Sequence, residues 1–173
     1  MLIFQQNLEK DAIVWKDQYF SYTWLLENID SWRNQLDDKA VESGAVVVVE
    51  ADFSPNSVAL FIALVQLGHT LVPLTNSVEK QKREFTKIAQ GEVSFCINDK
   101  DEATITSLDN VADHALYKNL KKLKHPGLVL FSSGSTGKSK AVVHDLYEIL
   151  EKFKMPRHSL RTITFLLYDH IGG

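Results

Sequence analysis

Ala45-Val46-Val47-Val48-Val49 is an unbroken apolar run whose last four residues are β-branched. A strand with one wet face alternates polar and apolar residues, so a run without alternation points to a strand covered on both faces, as in parallel sheets. On its N-terminal side, Leu25, Ile29, Trp32 and Leu36 lie at spacings of four, three and four, which predicts one buried helix face ending before Ser43-Gly44. Thr23 is the expected cap of that helix. Before it, Ala12-Ile-Val-Trp15 and Gln18-Tyr-Phe-Ser-Tyr22, parted by Lys16-Asp17, read as a small hairpin.

On the C-terminal side, Ser54-Pro55 supplies a cap and a first-turn proline. The residues that follow are apolar nearly all round, and Gly68 stands where a helix ends in the left-handed conformation, so a deeply buried helix is expected. Thr70-Leu-Val-Pro-Leu74 reads as a strand, Ser77 as the cap of a helix through about Ala89, and Val93 to Ile97 as another strand, in which Cys96 is a small buried side chain. The order β-α-β-α-β predicts an α/β fold with a mainly parallel sheet flanked by helices and right-handed connections. Ala103 to Ser107 is a candidate edge strand, and Asp113 to Lys124 a helix closed by His125-Pro126. Lys118, Lys121, Lys122 and Lys124 on it read as a solvated face rather than a phosphate or nucleic-acid patch.

The totals agree with a soluble globular class. The 173 residues suffice for one ordinary domain or part of a larger one, with 45% hydrophobic and 24% charged residues. A net charge of -3 offers no general attraction to nucleic acid or anionic membranes. The single cysteine excludes an internal disulfide and multi-cysteine metal sites, and fits a reducing, cytoplasmic compartment. The start MLIFQQNLEKDAIVW lacks the basic and long apolar regions of a secretion signal. The run Val58 to Val65 is far shorter than the roughly 20 residues of a membrane helix.

The chemistry concentrates in Leu128-Val-Leu-Phe-Ser-Ser-Gly-Ser-Thr-Gly-Lys-Ser-Lys140. An apolar strand, Gly127 to Phe131, runs into a loop of hydroxyls, glycines and lysines. Ala141-Val-Val143 is expected either as its antiparallel neighbour or as a continuation toward a helix from Asp145 to Phe153. Gly134 and Gly137 permit backbone angles that aim successive N–H groups at one anion, and Ser132, Ser133, Ser135 and Thr136 add hydroxyls able to reach phosphate oxygens or their Mg²⁺. Lys138 and Lys140 add positive charge. Gly137-Lys138-Ser139 imitates the end of a P-loop, but Ser132 stands where the first glycine belongs.

Ser132-Ser-Gly-Ser-Thr-Gly-Lys-Ser-Lys140 resembles the phosphate-binding signature of the acyl-adenylate-forming, AMP-binding superfamily, T-S-G-T-T-G-x-P-K-G, which includes acyl-CoA synthetases, peptide-synthetase adenylation domains and luciferase. Ser132, Ser139 and Ala141 depart from it, while the Gly134, Gly137 and Lys140 spacing is kept. Phe20-Ser-Tyr-Thr-Trp-Leu25 is similar to the family's F-T-Y-x-E-L segment, and Ala63-Leu-Val-Gln-Leu-Gly-His-Thr-Leu-Val-Pro-Leu74 to its L-K-x-G-x-x-x-V-P-L segment. Phe165-Leu-Leu-Tyr-Asp-His-Ile-Gly-Gly173 resembles the region beside the acyl pocket, with His170 and Gly172 as the matching positions.

The resemblance implies ATP and Mg²⁺ as cofactors, with Ser132, Ser133, Gly134, Ser135, Thr136, Gly137 and Lys140 on the β- and γ-phosphates. A carboxylic acid would be activated as an acyl-AMP with release of pyrophosphate, then passed to coenzyme A or a carrier-protein thiol. Catalytic residues are expected beyond residue 173, the metal ligands are not assigned, and no nucleic-acid partner or membrane span is implied. The chain is then expected to be the N-terminal part of the family's large domain, divided into a hairpin region (1–22), a β-α-β-α-β unit with the following helix (23–124), and a phosphate-loop region entering the acyl-pocket segment (125–173). Two other readings are a P-loop NTPase, with Asp169 of Tyr168-Asp169 as its only visible metal-holding acid, and a non-catalytic nucleotide or partner-binding module. On the ligase reading these 173 residues alone do not support ATP/pyrophosphate exchange, and robust exchange in that assay would overturn the mapping of the remaining motifs.

Overall fold

The structure, a computed structural model, describes residues 2–39, 41–133, 139–154, 162 and 167–169. A short helix α1 (Leu2–Gln5) precedes a hairpin of β1 (Asp11–Trp15) and β2 (Gln18–Ser21). Lys16 and Asp17 both take positive φ, 49° and 61°, which matches the right-handed twist of the two strands. Helix α2 (Tyr22–Asp38) then buries Leu25, Ile29, Trp32 and Leu36, as the spacing predicts. Its cap is Ser21, which accepts from Trp24 N, and not Thr23; the Thr23 hydroxyl donates to the Leu8 carbonyl instead.

The main sheet has the order β6-β5-β3-β4-β7-β8. Strands β3 (Val46–Glu50), β4 (Thr70–Leu74), β5 (Val93–Ile97) and β7 (Gly127–Ser133) run parallel, and β6 (Ala103–Ser107) and β8 (Ser139–Asp145) close the two sides antiparallel. This is the expected α/β class with a mainly parallel sheet. Strand β3 lies between β4 and β5, and Val46 to Val49 are 0% exposed. Val47 and Val49 face a core shared with α2 and α3 (Pro55–Gln66), while Val46 and Val48 face a second core with Phe85, Ala89 and Tyr117. Each buried valine stabilises by roughly 1.5–3 kcal/mol relative to exposure, so both faces depend on one strand.

Helix α3 begins in a reciprocal cap: Ser54 Oγ accepts from Ser57 N at 3.2 Å, and Ser57 Oγ accepts from Ser54 N at 2.9 Å. It ends at Gly68, with φ 76°. The helix predicted from Ser77 is instead a 3₁₀ turn (Asn76–Gln81) led by Thr75, followed by α4 (Lys82–Ile88). Cys96 is exposed rather than buried, because the alternation that turns Phe95 onto Trp32 in one core turns Cys96 to the other face, where it is left open. Helix α5 (Ala115–Leu123) starts after the cap His114, and its lysines form an exposed face. Gly127 is required by close approach, since a Cβ there would lie 2.7 Å from Leu120 Cδ1 and Thr70 Oγ1. The last described helix, α6 (Leu146–Glu151), is capped by Asp145.

His69, between α3 and β4, is 2% exposed. Burial pushes its imidazole below the ordinary value of 6.5, against the opposing pull of a hydrogen bond to the Ala45 backbone and the Asp37 charge. The folded state therefore favours neutral His69: its contribution is complete above pH 6.5 and falls as the pH drops below that value, where the unfolded chain takes up the proton first. Urea unfolding followed from pH 7.5 to 5.5 is expected to show a loss of stability that is smaller in His69→Gln.

Candidate functional site

The parallel strands deliver their C-terminal ends to one edge of the sheet, the position at which open α/β sheets bind ligands. Strands β7 and β8 pair continuously from Gly127 with Asp145 to Ser132 with Lys140 and Ser133 with Ser139. The two ends of the hydroxyl and glycine run, Ser132–Ser133 and Ser139–Lys140, are therefore the paired stems of a β-hairpin at that edge. Of the predicted phosphate residues, Ser132, Ser133 and Lys140 stand at the hairpin's two stems, with Ser132 and Lys140 exposed as cross-strand partners. Gly134, Ser135, Thr136 and Gly137 lie outside the described residues, as do Lys138 and the acyl-pocket candidates His170 and Gly172. Because the loop leads into an antiparallel strand, it differs from a P-loop, which leads from strand into helix.

Beside the stems opens a cleft of about 270 Å³. Phe85 and Phe131 line its apolar side, their rings stacked at 3.9 Å and 6°. Ser77, Ser132, Ser139 and Asp169 supply polar groups around it. Asp169 is held from the β4 exit: its Oδ2 accepts from Thr75 Oγ1 at 2.8 Å and from Ser77 Oγ at 2.9 Å. Thr75 is fully buried and its hydroxyl lies 2.7 Å from that of Ser77, so the three oxygens form one connected group.

The neighbouring Tyr168 anchors the same segment. Its ring packs 4.0 Å from Phe53 and 5.2 Å from Phe61, and its hydroxyl lies 3.1 Å from Ser57 Oγ. Burial holds the phenol protonated, well above its ordinary value, with the Ser57 hydrogen bond acting in the opposite direction. Ser57 thus serves both the cap of α3 and this anchor. Asp52, just past β3, accepts from Asn76 N at 3.1 Å and Asn76 Nδ2 at 2.8 Å, which ties the exits of β3 and β4 together. Sequence reasoning did not pick out Thr75 and Ser77 as partners of Asp169; their signal is the polar run Thr75-Asn76-Ser77 directly after an apolar strand.

The sequence pattern of the family described as AMP-binding enzyme matches residues 4–172. The chain belongs to that family. Among its AMP-binding relatives, a component of mycosubtilin synthase from Bacillus subtilis is 28% identical over 145 residues, which cover 78% of this chain and 6% of that protein. A D-alanine--D-alanyl carrier protein ligase from Bacillus cereus (strain AH187) is 23% identical over 150 residues, covering 78% of this chain and 29% of the ligase. The N-terminal subdomain of Klebsiella oxytoca NpsA superposes with a TM-score of 0.62 at 22% identity, covering 82% of this chain and 40% of that one. The chain therefore spans less than half the length of each of these relatives. Among the described residues, no helix is long and apolar enough to cross a membrane.

The Tyr168 anchor yields a direct test. Tyr168→Phe, which keeps the ring and removes the hydroxyl, is expected to cost about 1 kcal/mol, and Tyr168→Ala about 3–5 kcal/mol. Chemical denaturation measures both.

Proposed function

We propose that this chain is the N-terminal part of an ATP-dependent ligase that activates a carboxylic acid as its acyl-adenylate with release of pyrophosphate. Support comes from membership of the AMP-binding family. The observation that carries the proposal is the β7/β8 hairpin at the C-terminal edge of the sheet, whose stem residues Ser132 and Ser139 line the cleft.

The residues present suit a nucleotide phosphate chain. Ser132 and Lys140 face each other across the stem, one offering a hydroxyl and the other an ammonium group. Ser133, Gly134, Ser135, Thr136 and Gly137 complete the proposed set with backbone N–H groups and further hydroxyls. Mg²⁺-ATP, when bound, supplies the adenylyl group and a metal counter-charge for its phosphates. The protein's own contribution is positioning and charge neutralisation: Lys140 and the loop donors hold the outer phosphates so that the inner one is presented to the carboxylate. His170 and Gly172 are assigned to the acyl side of the site. The acceptor is a thiol, of coenzyme A or of a carrier protein; the carrier-protein relative makes the second the better supported. A soluble, cytoplasmic enzyme is the matching setting.

Equilibrium binding of Mg²⁺-ATP tests the assignment. Lys140→Ala removes a charged donor worth about 1.5–3 kcal/mol and is expected to weaken binding by roughly tenfold or more. Lys138→Ala, at a position where the family signature is variable, is expected to leave binding within a few-fold. An unaltered affinity in Lys140→Ala would remove the loop from the site.

A further inference from the structure

We propose that His125, Asp145 and Glu148 form a binding site for one divalent transition-metal ion of the Zn²⁺ class, at the junction of β7, β8 and α6. One donor atom from each of the three lies within 4.8 Å of the others. His125 Nδ1 is 2.8 Å from Asp145 Oδ2. That contact is a hydrogen bond; neighbouring ligands of a tetrahedral ion with bonds of about 2.0–2.2 Å stand about 3.3–3.6 Å apart, so an ion would take the place of the shared proton and part the two atoms by about half an ångström or slightly more. An imidazole nitrogen with two carboxylates suits Zn²⁺ and its neighbours in the d-block, whereas Mg²⁺ and Ca²⁺ favour all-oxygen shells.

Two of the three ligands are oriented by contacts that an ion would leave in place. The His125 ring stacks on Tyr147, with centroids 4.4 Å apart and planes 19° from parallel. Asp145 Oδ1 accepts from Tyr147 N at 3.0 Å and Glu148 N at 3.3 Å, which turns Oδ2 toward His125. The backbones are joined independently of both side chains, since Gly127 pairs with Asp145 in the sheet and Leu146 N donates to the Pro126 carbonyl at 2.9 Å. Outer contacts of this kind fix ligand geometry before the ion arrives. Glu148, exposed and one helical turn beyond Asp145, is the third ligand.

The site lies at the opposite end of the β7/β8 hairpin from Ser132, Ser139 and the cleft, so it is separate from the Mg²⁺ that would accompany ATP. Three protein ligands leave one tetrahedral position for water. Its effect is to tie the connector before β7, the end of β8 and the start of α6 through one centre.

Isothermal titration of the untagged, metal-stripped 173-residue chain with ZnCl₂, paired with the visible absorption of its Co²⁺ form, tests the proposal. One ion per chain is expected, with a raised thermal midpoint and the absorption of a four-coordinate Co²⁺ centre. His125→Gln keeps a side-chain donor for Asp145 but loses the imidazole; it and Glu148→Gln should each weaken binding by about tenfold or more. His144→Gln, on β8 but outside the triad, should not change it. Absence of saturable binding, or equal affinity in all variants, overturns the site and leaves a plain His125–Asp145 hydrogen bond. If His125→Gln does not fold, Glu148→Gln decides alone, because its side chain is exposed.

Discussion

The burial of β3 on both faces is the constraint from which the rest of the molecule follows. A strand with Val46 to Val49 entirely removed from water needs a helical layer on each side and a hydrogen-bonded neighbour along each edge. Helices α2 and α3 cover one face; Phe85 and Ala89 of the α4 region and Tyr117 of α5 cover the other. With β4 and β5 parallel to it, β3 sends its chain exit to the same edge as theirs, and β7 joins them through β4. The candidate site is a product of that alignment: Asp52, Thr75 and Ser132 stand at three different strand exits, which reach one edge of the sheet because the strands share one direction.

Where a residue's role is set by local periodicity, the sequence was readable. The α2 face, the valine strand, the Ser54-Pro55 start and the Gly68 end of α3 each obey a rule that needs only a few neighbouring residues. The misreadings share a cause in competition from distant partners. Thr23 has a good capping side chain, but its hydroxyl is drawn to the Leu8 carbonyl and Ser21 takes the cap. Ser77 looks like a cap as well, yet its hydroxyl is turned to Asp169, 92 positions away in the chain. Cys96 sits among apolar residues in sequence but points toward the open end of its face.

The site divides along the same line. The start of the glycine and hydroxyl run was legible because it follows an apolar strand directly, whereas its antiparallel return over Ser139–Asp145 was one of two readings that the sequence left open. The group of Thr75, Ser77 and Asp169 was not legible, since no spacing rule links the exit of β4 to a residue near position 170. Hydrogen bonding of a carboxylate by two hydroxyls is a matter of tertiary proximity alone.

Tyr168 reaches back across 111 positions to Ser57, and Asp169 across 94 to Thr75. Contacts of such separation close long loops of chain, an entropic cost that the native packing must offset. The cleft beside the β7/β8 hairpin thus owes one wall to a distant segment clasped onto the sheet through Tyr168 and Asp169. Loosening that clasp would leave the Phe85–Phe131 side of the cleft in place and remove its acidic wall.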